Sequence, residues 1–369
     1  MFQLNRKHFK YFDYILTLIV LTIATIGIFA IYSASFDLNS GKFSSFYLKQ
    51  MIWLFAGILT YLLFTIINYR FLVKHSFLLY LLSLAILLLV LIKGHIGMGA
   101  QRWINIAGFR LQPSEFIKVV WILFLAKQFA TNKIEYATFL DIFKKLIYLI
   151  PIFLLIFLEP DLGTALVYVY LWGIGVLYLG VKRYTVFITL IIIIIALPVG
   201  WNHLKDYQKK RVITFLNPEK DPFGAGYHVI QSKIAIGSGG LKGKGFLKGT
   251  QSHLKFLPER HTDFIFSLIC EEFGFIGGAT LLSLFLLLLM RIIYIAILTK
   301  EPSGKLIALL TAALIFFQTY VNAAMTMGIM PVVGIPMPFV SYGGSSLITL
   351  CSLCGIVNSI ALRRYDIVS

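Results

Sequence analysis

The strongest constraint on the fold is a series of long apolar runs separated by short polar segments. Ten such runs can be recognised, with approximate limits at 14–34, 47–67, 76–92, 114–130, 144–158, 162–180, 184–200, 264–298, 304–328 and 343–362. A helix of roughly 20 apolar residues crosses a hydrocarbon core of about 30 Å, and most of the runs are near that length. They lack the alternation of apolar and polar residues that marks the strands of a transmembrane barrel. We therefore predict an all-α polytopic membrane protein with about ten transmembrane helices, forming one integral membrane domain over residues 1–369.

The composition agrees with this class and narrows the range of partners. Hydrophobic residues make up 59% of the chain and charged residues 13%, whereas about a quarter of a soluble domain is charged. The formal net charge of +17 would indicate nucleic-acid binding in a soluble protein. Here the basic residues flank apolar runs, where they set topology and face anionic lipid. We predict no nucleic-acid partner.

The short loops predict an orientation. Lys and Arg are concentrated in alternate connections, at Arg70, Lys74, Lys133, Lys144, Lys145, Lys182, Arg183, Lys300, Lys305, Arg363 and Arg364. By the positive-inside rule this side is cytoplasmic, together with both termini. The large loop at about 201–262, between the seventh and eighth runs, then lies outside the cytoplasm. The first run is longer than the core of a signal peptide, so we interpret it as an uncleaved span. The eighth is too long for one perpendicular crossing, so we expect it to tilt or project from the bilayer.

Cofactor motifs are weak throughout. Cys270, Cys351 and Cys354 lie in apolar runs and do not form a disulfide framework. The CxxC of the last two falls in the middle of a predicted span, which favours small packing residues over a redox or metal site. No Walker motif and no GxGxxG spacing is present. We identify no cofactor and predict no metal site, although a divalent cation remains an open alternative.

The first polar motif precedes the fourth run. The segment Gln112-Pro113-Ser114-Glu115 predicts a helix start, with either Ser114 as the cap or Pro113 in the first turn. Glu115 and Lys118 are three residues apart and therefore share one helix face. They can be a buried pair whose charges neutralise each other. Alternatively they are functional groups, because ionisable residues at membrane depth indicate function. Upstream, Arg102 and Trp103 either anchor the chain at the interface or offer charge and a stacking face to a ligand headgroup.

The second motif is the Gly- and Lys-rich segment 236–264, in which Asp263 is the last polar residue before the apolar run. Its backbone N–H groups could surround an anion, and a flexible surface loop is the alternative. Asp263 stands immediately before the eighth run. It is either the N-terminal cap of that helix or a general base at the boundary between water and lipid.

The third motif, 330–346, contains three prolines and three glycines and cannot form a continuous helix. We predict a re-entrant or buried outer loop, with Ser341, Tyr342, Ser345 and Ser346 offering hydrogen-bonding groups. A fourth, smaller turn contains Glu159 and Asp161, of which Asp161 suits a helix cap. All four motifs map to the predicted outer side, which indicates an active surface there.

Five long motifs are similar to those of a known family. They are QRWINIAGFRLQPSEFIK, EPDLGTAL, GSGGLKGKGFLKGTQSHLKFLPERHTDFIFS, EEFGFIGG and PVVGIPMPFVSYGGSS. In this order, and over essentially the whole chain, they resemble the SEDS family of bacterial shape, elongation, division and sporulation proteins. The forms QRWINI and LPERHTDFIFS are more similar to the elongation members than to the division members.

The resemblance implies a peptidoglycan glycosyltransferase of the bacterial cytoplasmic (inner) membrane that polymerises lipid II during cell elongation. The implied partners are a class B penicillin-binding protein and the rest of the elongation machinery. The family's essential acid falls on Asp263, and its Glu and Lys at the start of the fourth span fall on Glu115 and Lys118. The candidate substrate-binding residues are Arg102, Trp103, Gln112, Ser114, Arg260, His261, Ser341, Gly343 and Gly344.

Such polymerisation inverts the anomeric carbon, so a direct displacement with one base is sufficient. Asp263 is our candidate for that base, while basic residues would stabilise the departing pyrophosphate. Two alternatives remain at this point. A flippase or transporter predicts a polar route at the bilayer midplane. A non-catalytic scaffold predicts that the outer acids are dispensable.

Overall fold

Helices make up most of the chain that the computed structural model describes. The described residues are 10–37, 42–97, 100–106, 109–130, 138–182, 184, 209, 213–217, 224–253, 257 and 259–364. The helices are α1 (Tyr14–Ala34), α2 (Phe46–Ile66), α3 (Tyr69–Lys93), α4 (Pro113–Ala130), α5 (Phe139–Leu158), α6 (Leu162–Tyr178), α7 (Ala225–Gly239), α8 (Thr250–His253), α9 (Ile265–Leu298), α10 (Pro302–Thr326) and α11 (Gly344–Leu362). The seventh predicted run, 184–200, lies outside the described residues apart from Tyr184.

Six of these helices are long and apolar enough to cross a membrane, namely α1, α2, α3, α9, α10 and α11. Helix α6 is apolar but shorter, with 17 residues. Helices α4 and α5 have 18 and 20 residues and each contains three charged residues within this short length, including Glu115 and Lys118 in α4. The structure thus confirms a mostly helical, multi-pass membrane protein.

The helix ends follow local chemistry. Asp13 caps α1 by accepting a hydrogen bond from the Leu16 backbone N–H at 2.8 Å. Thr138 and Asp141 form a reciprocal capping box at the start of α5. Such caps satisfy N–H groups that have no partner within the helix. Pro113 is the first residue of α4, where its missing N–H has no cost, so the second of our two alternatives for this helix start is confirmed.

The structure also contains short strands, which the sequence analysis did not predict, so the all-α description holds for the helical body of the chain and not for these connections. Strand β1 (Phe36–Asp37) pairs with β2 (Lys42–Phe43), and β3 (His95–Gly97), β4 (Ala100–Ile106) and β5 (Phe109–Leu111) form an antiparallel sheet. The longest, β4, contains the QRWINI motif, whose aromatic and β-branched residues favour extended backbone. The strands lie in connections between apolar runs, and β5 leads directly into α4.

The long eighth run accommodates its length by a break. Gly274 within α9 has φ 66° and ψ −163°, which is not helical. The loop after α7 satisfies backbone groups around the break: Phe275 N–H donates to the Gly240 carbonyl at 2.8 Å, and Gly245 N–H donates to the Glu272 carbonyl at 2.9 Å. The first part of α9 is therefore held by this loop rather than continuing a single straight span.

Helices α10 and α11 form the interior. The most apolar stretch of α11 is 89% buried and that of α10 is 72% buried, against 22% for α2. Cys270, Cys351 and Cys354 are buried free thiols. A Cβ added to Gly57 of α2 would lie 3.0 Å from the Cys351 sulfur, so this cysteine packs where two helices approach closely. That contact supports the packing interpretation of the CxxC pair.

Candidate functional site

The 330–346 segment connects α10 to α11 without a helix of its own until α11 begins at Gly344. The apolar residues of its second half are nevertheless buried: Met337 is 1% exposed and Val340 is fully buried. The segment is therefore an irregular loop that is buried in its second half, as its prolines and glycines predicted. Irregular backbone at this depth must find hydrogen-bond partners in the surrounding protein.

Those partners include the residues just before α9. The Ser341 hydroxyl donates to the Thr262 carbonyl at 2.6 Å, and Tyr342 N–H donates to the His261 carbonyl at 2.8 Å. From α10, the Asn322 amide donates to the carbonyls of Asp263 at 3.1 Å and Ile335 at 2.8 Å. The backbone of Asp263 is thereby held between α10 and the 330–346 segment.

Asp263 is half-buried and lies outside the helix. The N-cap of α9 is Phe264, and no side chain makes a capping bond there. The interpretation of Asp263 as the helix cap was therefore wrong. Its carboxylate instead approaches the 330–346 segment, since a Cβ built on Gly334 would lie 3.5 Å from Asp263 Oδ2. Gly334 has φ 72°, a conformation that favours glycine.

Glu115 and Lys118 form a buried ion pair in the first turns of α4. The Lys118 ammonium lies 2.5 Å from Glu115 Oε1, and the residues are 2% and 5% exposed respectively. Two charges removed from water in this way require each other, because either one alone would be uncompensated. The helical spacing seen in the sequence correctly predicted that they share a face.

A second ionic cluster joins β4, α4 and the turn between α5 and α6. Arg102 donates to the Glu159 carbonyl at 2.9 Å and also to the Pro160 carbonyl, and its guanidinium lies 3.5 Å from Asp161 Oδ2. Asp161 caps α6 by accepting from Thr164 N–H at 3.1 Å, which confirms its predicted role. Arg102 is thus directed at this turn, with 28% of its side chain exposed.

Gln112 connects this cluster to the 330–346 segment. Its side-chain amide donates to Asp161 Oδ2 at 3.0 Å and to the Ser114 hydroxyl at 3.1 Å. Its backbone N–H donates to the Ser345 hydroxyl at 2.9 Å. The four polar motifs singled out in the sequence are therefore joined by hydrogen bonds through one buried segment.

The remaining candidates line the edge of this network. The His261 ring stacks on Phe46, with 4.4 Å between ring centroids. Burial lowers the pKa of His261, Glu259 raises it in part, and Arg260 adds to the lowering. Arg260 donates to the carbonyls of Ser252 and Phe36, the latter at 2.9 Å.

Trp103, Gly343 and Gly344 lie in different surroundings. Trp103 is partly exposed and pairs with His95 in the β3–β4 ladder. Gly343 N–H donates to the Gln50 side chain at 3.3 Å. A Cβ on Gly344 would lie 2.7 Å from Nε1 of Trp53, so Gly344 allows the indole to pack against the start of α11.

Sequence reasoning missed Glu271, which organises the Gly- and Lys-rich loop. This fully buried carboxylate accepts hydrogen bonds from Lys244 Nζ at 2.8 Å, Gln251 N–H at 2.8 Å and the Ser252 hydroxyl at 2.7 Å. Within the described ranges the loop is thus ordered around a carboxylate. The signal was available, because two adjacent acids inside an apolar run indicate a function or a fixed partner.

Sequence reasoning also missed Asn322 and Glu159. Asn322 is one polar residue in a mostly apolar span, and its partners are distant in sequence. Glu159 was seen only as part of a turn. Among the described residues, no three His, Cys, Asp or Glu side chains are grouped so that they could hold a metal ion.

Comparisons with known proteins agree with this architecture. The chain is 45% identical over 289 residues to the peptidoglycan glycosyltransferase MrdB of Escherichia coli (strain K12), covering 77% of this chain and 78% of MrdB. It is 34% identical to the peptidoglycan glycosyltransferase RodA of Treponema pallidum, covering 92% and 94%.

Among the similar solved structures, two illustrate the likeness, each over 96% of the chain. One, from a study of how a peptidoglycan synthase complex coordinates polymerization and crosslinking, has a TM-score of 0.82, 30% identity and 99% coverage of its own chain. The other, the rod shape determining protein RodA of Thermus thermophilus, has a TM-score of 0.72, 30% identity and 98% coverage. The family model described as cell cycle protein FtsW, RodA and SpoVE matches residues 13–366. The chain belongs to this family, the SEDS proteins.

Proposed function

We propose that this chain is a peptidoglycan glycosyltransferase that polymerises lipid II into β-1,4-linked glycan on the outer face of the bacterial cytoplasmic membrane during cell elongation. The observation that carries the proposal is the half-buried carboxylate of Asp263 at the entrance to an apolar helix, on a backbone that Asn322 holds in place. The similar proteins from Escherichia coli and Treponema pallidum both bear the name peptidoglycan glycosyltransferase.

The proposed topology has ten spans in one domain over residues 1–369, with both termini in the cytoplasm. The large loop at about 201–262, between spans seven and eight, would then face outward, as would Asp263. This placement brings the base to the level where the sugar of a lipid-linked substrate meets water. The proposed location is the inner membrane.

Asp263 acts in this proposal on the acceptor sugar. An aspartate has an ordinary pKa of about 3.9, so it cannot ionise a sugar hydroxyl in advance. It accepts the proton of the 4-hydroxyl while that oxygen bonds to the anomeric carbon of the donor and undecaprenyl pyrophosphate departs. The double contact of Asn322 with the Asp263 and Ile335 carbonyls supports this role, because it fixes the backbone that carries the carboxylate.

Positive charge stabilises the departing pyrophosphate. Arg102 is the best-placed candidate, since part of its side chain is exposed while its inner contacts fix its direction. Arg260 and the lysines of the Gly- and Lys-rich loop are the further candidates for this role. Lys118 is 2% exposed and paired with Glu115, so the two residues act mainly as a fixed dipole beneath the site.

The other candidates divide by exposure. Trp103, Gln112 and His261 are partly exposed and can contact the sugar or peptide of lipid II. Ser114 and Ser341 are buried, and in this proposal they hold the walls of the site through their hydrogen bonds. Gly343 and Gly344 admit the close approach of Gln50 and Trp53.

The proposed protein partner is a class B penicillin-binding protein that cross-links the new strands, together with the rest of the elongation machinery. The similar structure from a peptidoglycan synthase complex supports such an assembly.

The test is polymerisation of lipid II by the purified chain, with and without a transpeptidase-inactive partner, and with the partner alone as the control. We expect glycan strands whenever this chain is present. A flippase would instead move lipid II across a vesicle bilayer without making polymer. A scaffold would give no polymer, whether or not the partner is present. Transport without polymer, or no polymer at all, would contradict the proposal.

A further inference from the structure

Glu159 is a buried acid that the proposed mechanism does not use. It follows α5 as the C-cap residue and is 1% exposed. Within the part of the chain that the structure describes, neither carboxyl oxygen has a hydrogen-bond partner. An ionised carboxylate in such a position would lose its hydration without gaining a hydrogen bond in return.

The charged groups around Glu159 are already committed to one another. Arg102 of β4 contacts the main-chain carbonyls at 159 and 160 and the side chain of Asp161. In α4, Lys118 is paired with Glu115. The hydroxyl of Tyr168 in α6 donates to the Ser114 carbonyl and lies within electrostatic range of Glu115, Glu159 and Asp161.

The local charge is balanced only when Glu159 is neutral. The two cations, Arg102 and Lys118, are matched by Asp161 and Glu115, and Glu159 would add a third negative charge. Burial, and secondarily the charge of Asp161, raise the pKa of Glu159 to about 8, although Arg102 partly opposes the rise. The acid form therefore predominates at neutral pH.

We propose that Glu159 is a positioning residue that works as a neutral carboxylic acid and leaves Arg102 committed to Asp161 and to the turn between α5 and α6. When Glu159 ionises, it competes with Asp161 for the guanidinium. Asp161 holds Gln112, and Gln112 holds Ser345 at the start of α11, so a displaced Arg102 disturbs the contacts that join the motifs. Its effect on polymerisation rests on the proposed function.

The first test is the pH dependence of lipid II polymerisation by the wild-type protein and by Glu159→Gln, which is isosteric with the neutral acid. One pH unit above the pKa, only about a tenth of the acid form remains, so we expect about a tenfold loss in the wild type at pH 9. Glu159→Gln should equal the wild type at pH 7 and should lose less than about twofold of its own activity between pH 7 and pH 9. Asp141→Asn, which changes a partly exposed carboxyl at the opposite end of α5, is the matched control and should follow the wild type.

The second test does not depend on activity. Infrared spectroscopy of the purified protein should show a protonated carboxylic acid at pH 7 that disappears above pH 9 and is missing from Glu159→Gln. This titration decides the question even if the variant folds poorly. If Glu159 were merely structural, Glu159→Gln would change the stability of the protein but not the decline of the polymerisation rate at alkaline pH.

The inference would be overturned if the polymerisation rates of the wild type and Glu159→Gln declined identically at alkaline pH. It would also be overturned if infrared spectroscopy showed that Glu159 is ionised at pH 7. Absence of polymer from the wild type at every pH would instead contradict the proposed function. The two failures are thus distinguishable.

Discussion

The buried pair of Glu115 and Lys118 permits a decisive double-mutant cycle. The variants are Glu115→Gln, Lys118→Met and the combination of both. At 2.5 Å and an effective dielectric constant of about 20, the attraction between the two charges is about 7 kcal/mol. Desolvation of the two ions costs several kcal/mol each, so the pair as a whole contributes little net stability.

Each single substitution leaves one charge buried without its partner. We therefore expect each to lower the free energy of unfolding by about 3–5 kcal/mol, whereas the double variant should remain within about 1 kcal/mol of the wild type. The two single effects would then be far from additive, with a coupling energy of at least about 5 kcal/mol. Unfolding in detergent, followed by circular dichroism, measures these differences.

Activity distinguishes a structural pair from a functional one. If the pair supplies a fixed dipole beneath the site, all three variants should lose polymerisation by about a hundredfold or more, including the stable double variant. A double variant that is folded and polymerises lipid II at close to the wild-type rate would show that the residues only neutralise each other. A double variant destabilised by the sum of the single effects would refute the burial argument itself.

Two further predictions concern stability. Gly274→Ala places a Cβ 2.5 Å from the Leu241 carbonyl oxygen at a residue with φ 66°. We therefore expect the free energy of unfolding to fall by about 1–3 kcal/mol and the loop after α7 to be proteolysed faster. Gly237→Ala, whose Cβ would meet nothing within 4 Å, is the control, and equal proteolysis of the two variants would contradict the account of the break. For Glu159→Gln, the folded pKa of about 8 lies above the ordinary value of 4.5, so the wild type loses stability as pH rises from about 4.5 to 8 and the variant does not. We expect Glu159→Gln to be more stable by about 3 kcal/mol at pH 7, with the difference vanishing near pH 4; melting temperatures with the same difference at both pH values would argue against a neutral Glu159.

The sequence predicted the helices well because a long apolar run has only one way to cross a bilayer. Helices α1 and α11 agree with their predicted runs to within a residue or so. The helix-start chemistry at Pro113 and Asp161 was also predictable, because caps depend on neighbouring residues. The strands were missed because their few extended residues lie between apolar runs and carry no long periodic signal.

The candidate site was predictable in its residue types but not in its connections. Arg102 is bound by residues nearly sixty positions away in the sequence. Ser341 binds Thr262, although two helices separate them along the chain. Such partners depend on packing rather than on local spacing. Asp263 shows the same limit: its neighbours suggested a cap, whereas the structure places Phe264 at that position.

The most direct measurement of the central claim is polymerisation by Asp263→Asn with substrate binding measured in parallel. Glu259→Gln is the matched control, since this carboxyl lies four residues away with 42% of its side chain exposed. If Asp263 is the base, Asp263→Asn should fold, bind lipid II and its partner, and lose at least about a hundredfold in rate, within the usual range for loss of a general base. Glu259→Gln should retain its activity. An Asp263→Asn protein that polymerises lipid II at a rate close to that of the wild type would contradict the account.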